Sequence, residues 1–183
     1  MTALLAACTG DHDGGDDAGA ARSVRRPPAA TRTCGTAAFG PTDAHPVVAD
    51  AGPARAIDVI GNTPADASDP SAYEPRPGEF AALKSPVIVA AGATVTVSVP
   101  RSDQAVVALL FGGDDDPVET LPSGDRLFRL DQGETSVQFE GCPDRVSPFT
   151  GYFLVDGPRC VRLDVQLGSQ NKRILVPFGM TEC

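Results

Sequence analysis

The clearest pattern in the chain is an alternation of apolar and polar residues in its second half. From Thr94 to Val99 every second residue is a valine, and the residues between are threonine or serine. A period of two places the valines on one face of a strand, and β-branched residues favour this extended conformation. The stretch 160–167 alternates in the same way. Both stretches predict half-buried β-strands.

Shorter apolar runs predict six further strands, at 87–89, 105–111, 126–130, 135–140, 152–155 and 174–178, while 47–48 and 57–60 are less distinct strand candidates. The run 105–111 is apolar throughout, so we expect a central strand covered on both faces. The runs 87–89 and 93–99 predict a hairpin, and 79–84, just before Pro86, favours a helical turn. Eight or nine short strands without a convincing amphipathic helix predict an all-β fold, an antiparallel β-sandwich. An immunoglobulin-like arrangement is one form it can take.

The N-terminal region differs in composition from the rest. Residues 9–33 contain one valine and no other large apolar residue. Such a segment cannot bury enough apolar surface to offset the entropy of ordering it. We therefore predict a disordered tether over 9–33, with a root-mean-square span of roughly 25–30 Å. The β-sandwich domain is predicted over 34–183.

Residues 5–8 read Leu-Ala-Ala-Cys, and a glycine- and aspartate-rich tract follows them. This segment resembles the lipobox of a bacterial lipoprotein and its tether. The resemblance implies that Cys8 carries lipid, that residues 1–8 are the remnant of a signal peptide, and that the anchored protein lies on the outer face of the cytoplasmic membrane. Secretory signals begin with positive charge and have a longer apolar run. Because residues 1–7 lack both, we expect the true start codon to lie upstream.

With Cys8 lipidated, an even set of cysteines remains: Cys34, Cys142, Cys160 and Cys183. Four cysteines can form two disulfides in an oxidising compartment, and a zinc site from such widely spaced cysteines is the weaker alternative. A meander of the last four strands places Cys160 and Cys183 at one end and Cys142 at the other. Disulfide-bonded Cα atoms lie within about 7 Å, whereas five strand residues span roughly 16 Å. This favours the pairs Cys34–Cys142 and Cys160–Cys183. Cys142–Cys160 stays open if the loop 143–149 crosses the sandwich.

The net charge of −9 argues against nucleic acid as a partner, because an acidic surface repels phosphate backbones. The chain also lacks a nucleophile elbow, a metalloprotease helix motif, a phosphate-binding glycine loop and a dinucleotide fingerprint. We predict no catalytic residue, no cofactor and no metal ligand. His45 as a general base and Asp114–Asp116 as a calcium site are both weaker interpretations than exposed loop residues, because neither has partners at suitable spacing.

The segment from Phe139 to Cys160, together with Pro177-Phe178-Gly179 and Cys183, is similar to the C-terminal part of uncharacterised secreted proteins of actinobacteria. That resemblance implies export and no activity.

The leading hypothesis is a non-catalytic binding or interaction module of the cell envelope, held to the membrane through Cys8, with a protein or glycan ligand. The alternatives are an envelope hydrolase or accessory factor built from unmarked Asp, Glu and Ser residues, and a cytoplasmic all-β protein with five free thiols. A pocket that gathers several carboxylates with perturbed pKa values would favour the hydrolase.

Overall fold

The computed structural model describes residues 29–38, 47–57, 80–112, 119–120, 126–178 and 183. These residues form strands connected by turns, with two short 3-10 helices at Cys34–Thr36 and Leu130–Gln132. The strands are β1 (Ala30–Arg32), β2 (Val47–Asp50), β3 (Ala54–Ile57), β4 (Ala81–Lys84), β5 (Val87–Val89), β6 (Thr94–Ser98), β7 (Val107–Leu110), β8 (Glu119–Thr120), β9 (Arg126–Leu127), β10 (Ser136–Glu140), β11 (Ser147–Phe149), β12 (Tyr152–Val155), β13 (Arg159–Leu167) and β14 (Gln170–Phe178). The protein has an all-β, sandwich-like fold, as predicted. Within the described ranges no helix is long and apolar enough to cross a membrane.

The largest sheet has five strands in the order β1-β10-β6-β13-β14. Two smaller sheets have the orders β11-β5-β3-β2 and β4-β12-β7, and β8 pairs with β9 alone. Neighbouring strands are antiparallel, except that β1 runs parallel to β10. An immunoglobulin-like arrangement of these strands stays a prediction.

The two smaller sheets continue each other. The chain passes from β4 directly into β5, and from β11 directly into β12, while β4 pairs with β12 and β5 with β11. At the junction the backbone N–H of Ser85 donates to the carbonyl of Gly151 at 3.3 Å. The two sheets therefore form one bent layer, and residues from this layer and from the five-stranded sheet share the main core.

The main core contains a continuous series of phenylalanine rings. Phe149, Phe139, Phe111, Phe153 and Phe178 contact one another in that order, with neighbouring ring centroids between 5.1 and 5.6 Å apart. All five side chains are buried. In a chain without tryptophan, these rings supply the large apolar surfaces that the core requires.

Strand β7 is covered on both faces, as the uniformly apolar run 105–111 predicts. Val107 and Leu109 face the main core, whereas Ala108 and Leu110 face a smaller cluster that includes Leu130 and Leu154. The strand lies at the edge of its sheet rather than at the centre. Its free edge is covered, because Leu109 exchanges two backbone hydrogen bonds with Glu134.

The prediction of a helical turn over 79–84 is wrong. Residues 81–84 form β4, whose four residues pair with the whole of β12 in antiparallel register. Ladder hydrogen bonds to a neighbouring strand outweigh the weak local preference for helix in so short a segment.

The predicted hairpin of 87–89 with 93–99 is also wrong. Strand β5 pairs with β3 and β11, whereas β6 pairs with β10 and β13, so the two strands lie in different sheets. The turn between them contains Gly92 with φ of +68°, and its N–H donates to the carbonyl of Cys142 at 2.7 Å. This turn carries the chain from one layer of the sandwich to the other.

The folded domain begins earlier than predicted. Ala30–Arg32, assigned to the tether over 9–33, form β1 and pair with Val137–Phe139 of β10. Arg32 holds this strand in place, because Nη2 donates to Oε1 of Glu134 at 3.1 Å and Nε donates to the carbonyl of Phe111. Residues 1–28 lie outside the described residues.

Candidate functional site

The structure contains two disulfides, Cys34–Cys142 and Cys160–Cys183, which is the pairing favoured from the sequence. Their Cα atoms lie 4.7 and 5.6 Å apart. The first joins the residue that follows β1 closely to the residue that follows β10 closely. Because β1 and β10 are parallel neighbours, their C-terminal ends lie at the same end of the sheet. The second follows from the β13–β14 hairpin, in which Cys160 lies opposite Pro177.

Several residues singled out in the sequence lie outside the described residues. These are Cys8, His45 and Asp114–Asp116. The lipidation of Cys8 therefore stays a prediction. Among the residues that the structure describes, no group of three or more His, Cys, Asp or Glu side chains is arranged to hold a metal ion.

A pocket of about 440 Å³ opens at one end of the five-stranded sheet, beside the Cys160–Cys183 disulfide. Its walls are the turn between β6 and β7 and the paired strands β13 and β14. The residues that line it are Ser102, Asp103, Val106, Val107, Arg159, Cys160, Arg162 and Leu175. A concave volume of this size, with a few polar groups against apolar side chains, is typical of a small-molecule binding site.

The turn that forms one wall is held by its own backbone. The N–H of Asp103 donates to the carbonyl of Pro100 at 2.8 Å, and the carbonyl of Asp103 accepts from the N–H groups of Val106 and Val107, both at 3.0 Å. The side chain of Gln104 also donates to the carbonyl of Val99 at 3.0 Å. These bonds hold the wall in one conformation.

Arg162 and Asp103 form a two-point ion pair across the pocket. Nε of Arg162 donates to Oδ2 at 3.0 Å and Nη2 donates to Oδ1 at 2.6 Å, while the Ser102 hydroxyl donates to Oδ1 at 2.9 Å. The Asp103 residue is only 9% exposed. The hydrogen bond from Arg162 holds the pKa of Asp103 below its ordinary value of 3.8, against the opposing effect of burial. The same bond raises the pKa of Arg162.

Arg159 lies on another side of the same pocket and forms an ion pair with Asp156. Its Nε atom is buried and has no hydrogen-bond acceptor among the described residues. A buried N–H without an acceptor is uncommon in folded proteins, because its loss of hydration is not repaid. The Oδ1 atom of Asp156 is likewise buried and makes no hydrogen bond within this part of the chain, so Arg159 contributes its positive charge to the pocket rather than an accessible donor.

Leu175 provides an apolar surface at the mouth of the pocket. It lies opposite Arg162 in the β13–β14 register and is 52% exposed. Val106, Val107 and the half-cystine Cys160 extend the apolar lining. The pocket thus combines ion-paired guanidinium groups with an apolar surface that is exposed chiefly at Leu175.

Sequence reasoning missed this site. Asp103 and Arg162 are 59 positions apart, and only the β6–β13 pairing brings the two segments together. The one available signal is that Arg162 occupies a polar position within an otherwise apolar alternation, which indicates an outward-facing arginine but not its partner.

A second ion pair of the same geometry lies outside the pocket. Nε and Nη2 of Arg173 donate to the two carboxylate oxygens of Asp164 at 2.7 and 3.1 Å. The two residues are directly opposite each other on β14 and β13. This pair offers a matched control for substitutions at Arg162.

The relationships to lipoproteins and to secreted actinobacterial proteins stay predictions. No protein-family model, curated protein or solved structure matches the chain.

Proposed function

We propose that this protein is a non-catalytic binding module of the bacterial cell envelope. It is exported, held to the outer face of the cytoplasmic membrane by lipid on Cys8, and takes up a ligand in the pocket beside the Cys160–Cys183 disulfide. The main support is the pocket, whose polar groups Ser102, Asp103 and Arg162 are already held by hydrogen bonds to one another. Groups that are already ordered lose less entropy on binding than groups that must first be ordered.

The two disulfides support the proposed location. They join all four of the cysteines that follow Cys8. Disulfides form and persist outside the reducing cytoplasm. Their presence favours export over the alternative of a cytoplasmic protein with free thiols.

The electrostatics of the pocket favour binding over hydrolysis. A general acid requires a carboxyl group whose pKa is raised toward neutral pH. In the pocket the carboxyl group of Asp103 has a lowered pKa and is engaged by Arg162 on both oxygens. Such a carboxylate positions an arginine and is poorly suited to donate a proton.

Lipid labelling in a bacterial host tests the location. The protein is expressed from its native genomic locus in the presence of labelled palmitate, and membrane and medium fractions are compared. We expect label on the protein and loss of both label and membrane retention in Cys8→Ser. The control is Cys160→Ala with Cys183→Ala, which removes two other cysteines and should keep the label. Unlabelled wild type, or five reactive thiols in the native protein, would contradict the proposal.

A sedimentation assay tests binding. The soluble Cys8→Ser full chain is mixed with washed cell envelopes, and bound protein is measured as its concentration rises. We expect saturable binding that weakens in Leu175→Asp, which places a charge at the mouth of the pocket. Val146→Asp is the matched control, because Val146 is comparably exposed at 48% and lies outside the pocket. Equal binding by both variants would remove the pocket from the proposal.

A further inference from the structure

We infer that the pocket beside the Cys160–Cys183 disulfide recognises a carboxylate that is attached to a short apolar group. This inference rests on the binding function proposed above and specifies the ligand's chemistry. It follows from the hydrogen-bonding capacity that the pocket residues leave unused, from the charge balance of the pocket and from its apolar lining.

The acceptors in the pocket wall are already occupied. Both oxygens of Asp103 accept from Arg162, and Oδ1 also accepts from the Ser102 hydroxyl. The oxygen of Ser102 accepts from Nη2 of Arg162 at 3.3 Å. A ligand that offers mainly donors, such as an amine, finds few free partners on this wall.

Among the residues that line the pocket, the remaining hydrogen-bonding capacity is that of the Arg162 guanidinium. Arg162 uses Nε and Nη2 on Asp103 and Ser102, so that Nη1 has no acceptor within the described part of the chain. Arg159 pairs with Asp156 and adds positive charge to the pocket, but its Nε is buried and is not an accessible donor. Planar guanidinium groups with free N–H donors match the two oxygens of a carboxylate in geometry and in charge.

The charge balance disfavours a ligand with more than one negative charge. Each arginine of the pocket already has an aspartate partner, Asp103 for Arg162 and Asp156 for Arg159. The chain as a whole carries a net charge of −9, so a multiply charged anion approaches an unfavourable field. A monoanion gains the hydrogen bonds at a smaller electrostatic cost.

The apolar lining requires an apolar part in the ligand. Leu175 exposes about half of its surface at the mouth, and the half-buried Val106 adds to it. Covering exposed apolar area contributes about 25 cal/mol per Å². Such a carboxylate can come from the free C-terminus of a peptide or from a short fatty acid, and the experiment separates these sources.

The absence of tryptophan from the chain provides the assay. Leu175→Trp places a single tryptophan at the mouth of the pocket, and its fluorescence is followed during titration of the full chain with N-acetyl-leucine, N-acetyl-leucinamide and octanoate. We expect saturable changes with a carboxylate and at least about tenfold weaker binding of the amide, which lacks the charge. Tighter binding of N-acetyl-leucine than of octanoate indicates a peptide terminus, and the reverse order indicates a fatty acid.

Two substitutions test the residues. In the Leu175→Trp background, Arg162→Met should weaken binding of the preferred carboxylate about tenfold or more. Arg173→Met breaks the ion pair outside the pocket and should weaken binding much less, because Arg173 acts on Arg162 and Asp103 only through its charge. As a control, Val146→Trp in the otherwise unsubstituted chain places the tryptophan away from the pocket, and its fluorescence should show no saturable change during the titration. Calorimetry on the unsubstituted chain checks that the introduced tryptophan does not itself block the site.

Equal affinity for acid and amide would overturn the inference, as would the absence of binding in both fluorescence and calorimetry. Either result leaves the proposed function testable on its own terms, because lipidation of Cys8 and sedimentation with cell envelopes do not depend on the carboxylate.

Discussion

The backbone of Gly151 lies against the ring of Phe111 so closely that a Cβ atom at position 151 would overlap the ring. Gly151 lies where the chain passes from β11 to β12, at the bend of the layer that the two smaller sheets form. The ring of Phe111 has little freedom to move, because it contacts Phe139 on one side and Phe153 on the other. The bend is thus in direct contact with the aromatic core.

Gly151→Ala should therefore destabilise the protein. Overpacking a filled core costs about 1–3 kcal/mol, and we expect the upper part of that range because the neighbouring rings are fixed. Urea denaturation at neutral pH measures the change. Gly35→Ala is the control, since its Cβ would meet only the Thr33 hydroxyl at 3.7 Å, an ordinary contact. An equal loss in the two variants would show that Phe111 yields readily.

The period-two alternation predicted more than the existence of strands. On β6 and β13 it also identified the buried faces, because Val95, Val97, Val161, Leu163 and Val165 all point into the core. A strand with one buried face fixes its own register, since a slip by one residue would expose every valine. That constraint is local and can therefore be found in the sequence.

Sheet membership could not be found in the same way. Strands β5 and β6 are separated by four residues and still lie in different layers. A short connection with Gly92 fits a hairpin and a crossover equally well until the partners of each strand are known. Those partners, such as β11 for β5, are distant in the chain. The pocket was missed for the same reason.

The disulfide pairing was inferred through a premise that is only partly right. The expected meander of the last four strands fails, because β12 lies in a different sheet from β10 and β13. The pairing still agrees with the structure, because β13 and β14 do form a hairpin that returns the chain to Cys160. One correct strand pair was sufficient to place Cys183.

The two disulfides should contribute unequally to stability. Cys34 and Cys142 are 108 residues apart, whereas Cys160 and Cys183 are 23 apart. In the chain-entropy treatment these loops correspond to about 4.8 and about 3.4 kcal/mol. The Cys34→Ala, Cys142→Ala double variant should thus lose about 1.4 kcal/mol more than the Cys160→Ala, Cys183→Ala variant in urea denaturation. A larger loss for the variant without Cys160–Cys183 would show that the disulfides do not stabilise the protein mainly by lowering the entropy of the unfolded chain.

Phe139→Ala should be among the costliest substitutions in the core. The ring is fully buried and contacts both Phe111 and Phe149, so its removal abolishes two ring contacts within the series of five phenylalanines. Large-to-small changes of this kind cost about 3–5 kcal/mol. Phe128→Ala, at the half-buried margin of the smaller cluster beside Tyr152, should cost less. Thermal and urea unfolding of the two variants provide the comparison.

The ion pair of Asp103 and Arg162 should make stability depend on pH in the acid range. The folded-state pKa of Asp103 is lowered from 3.8 by its hydrogen bonds with Arg162, so the folded protein favours the ionised form more than the unfolded chain does. The stabilisation is fully present above the unfolded-state pKa. It is lost as the pH falls from about 3.8 through the lower folded-state pKa.

Asp103→Asn removes this titration and should be less stable than wild type at pH 7. The difference should shrink steadily below pH 4, because protonated Asp103 and asparagine are both neutral. Urea denaturation across this pH range measures it. In an Arg162→Met background the substitution at Asp103 should lose most of its pH dependence. A stability difference that stays constant down to the acid limit would mean that Asp103 acts through its backbone turn rather than through its charge.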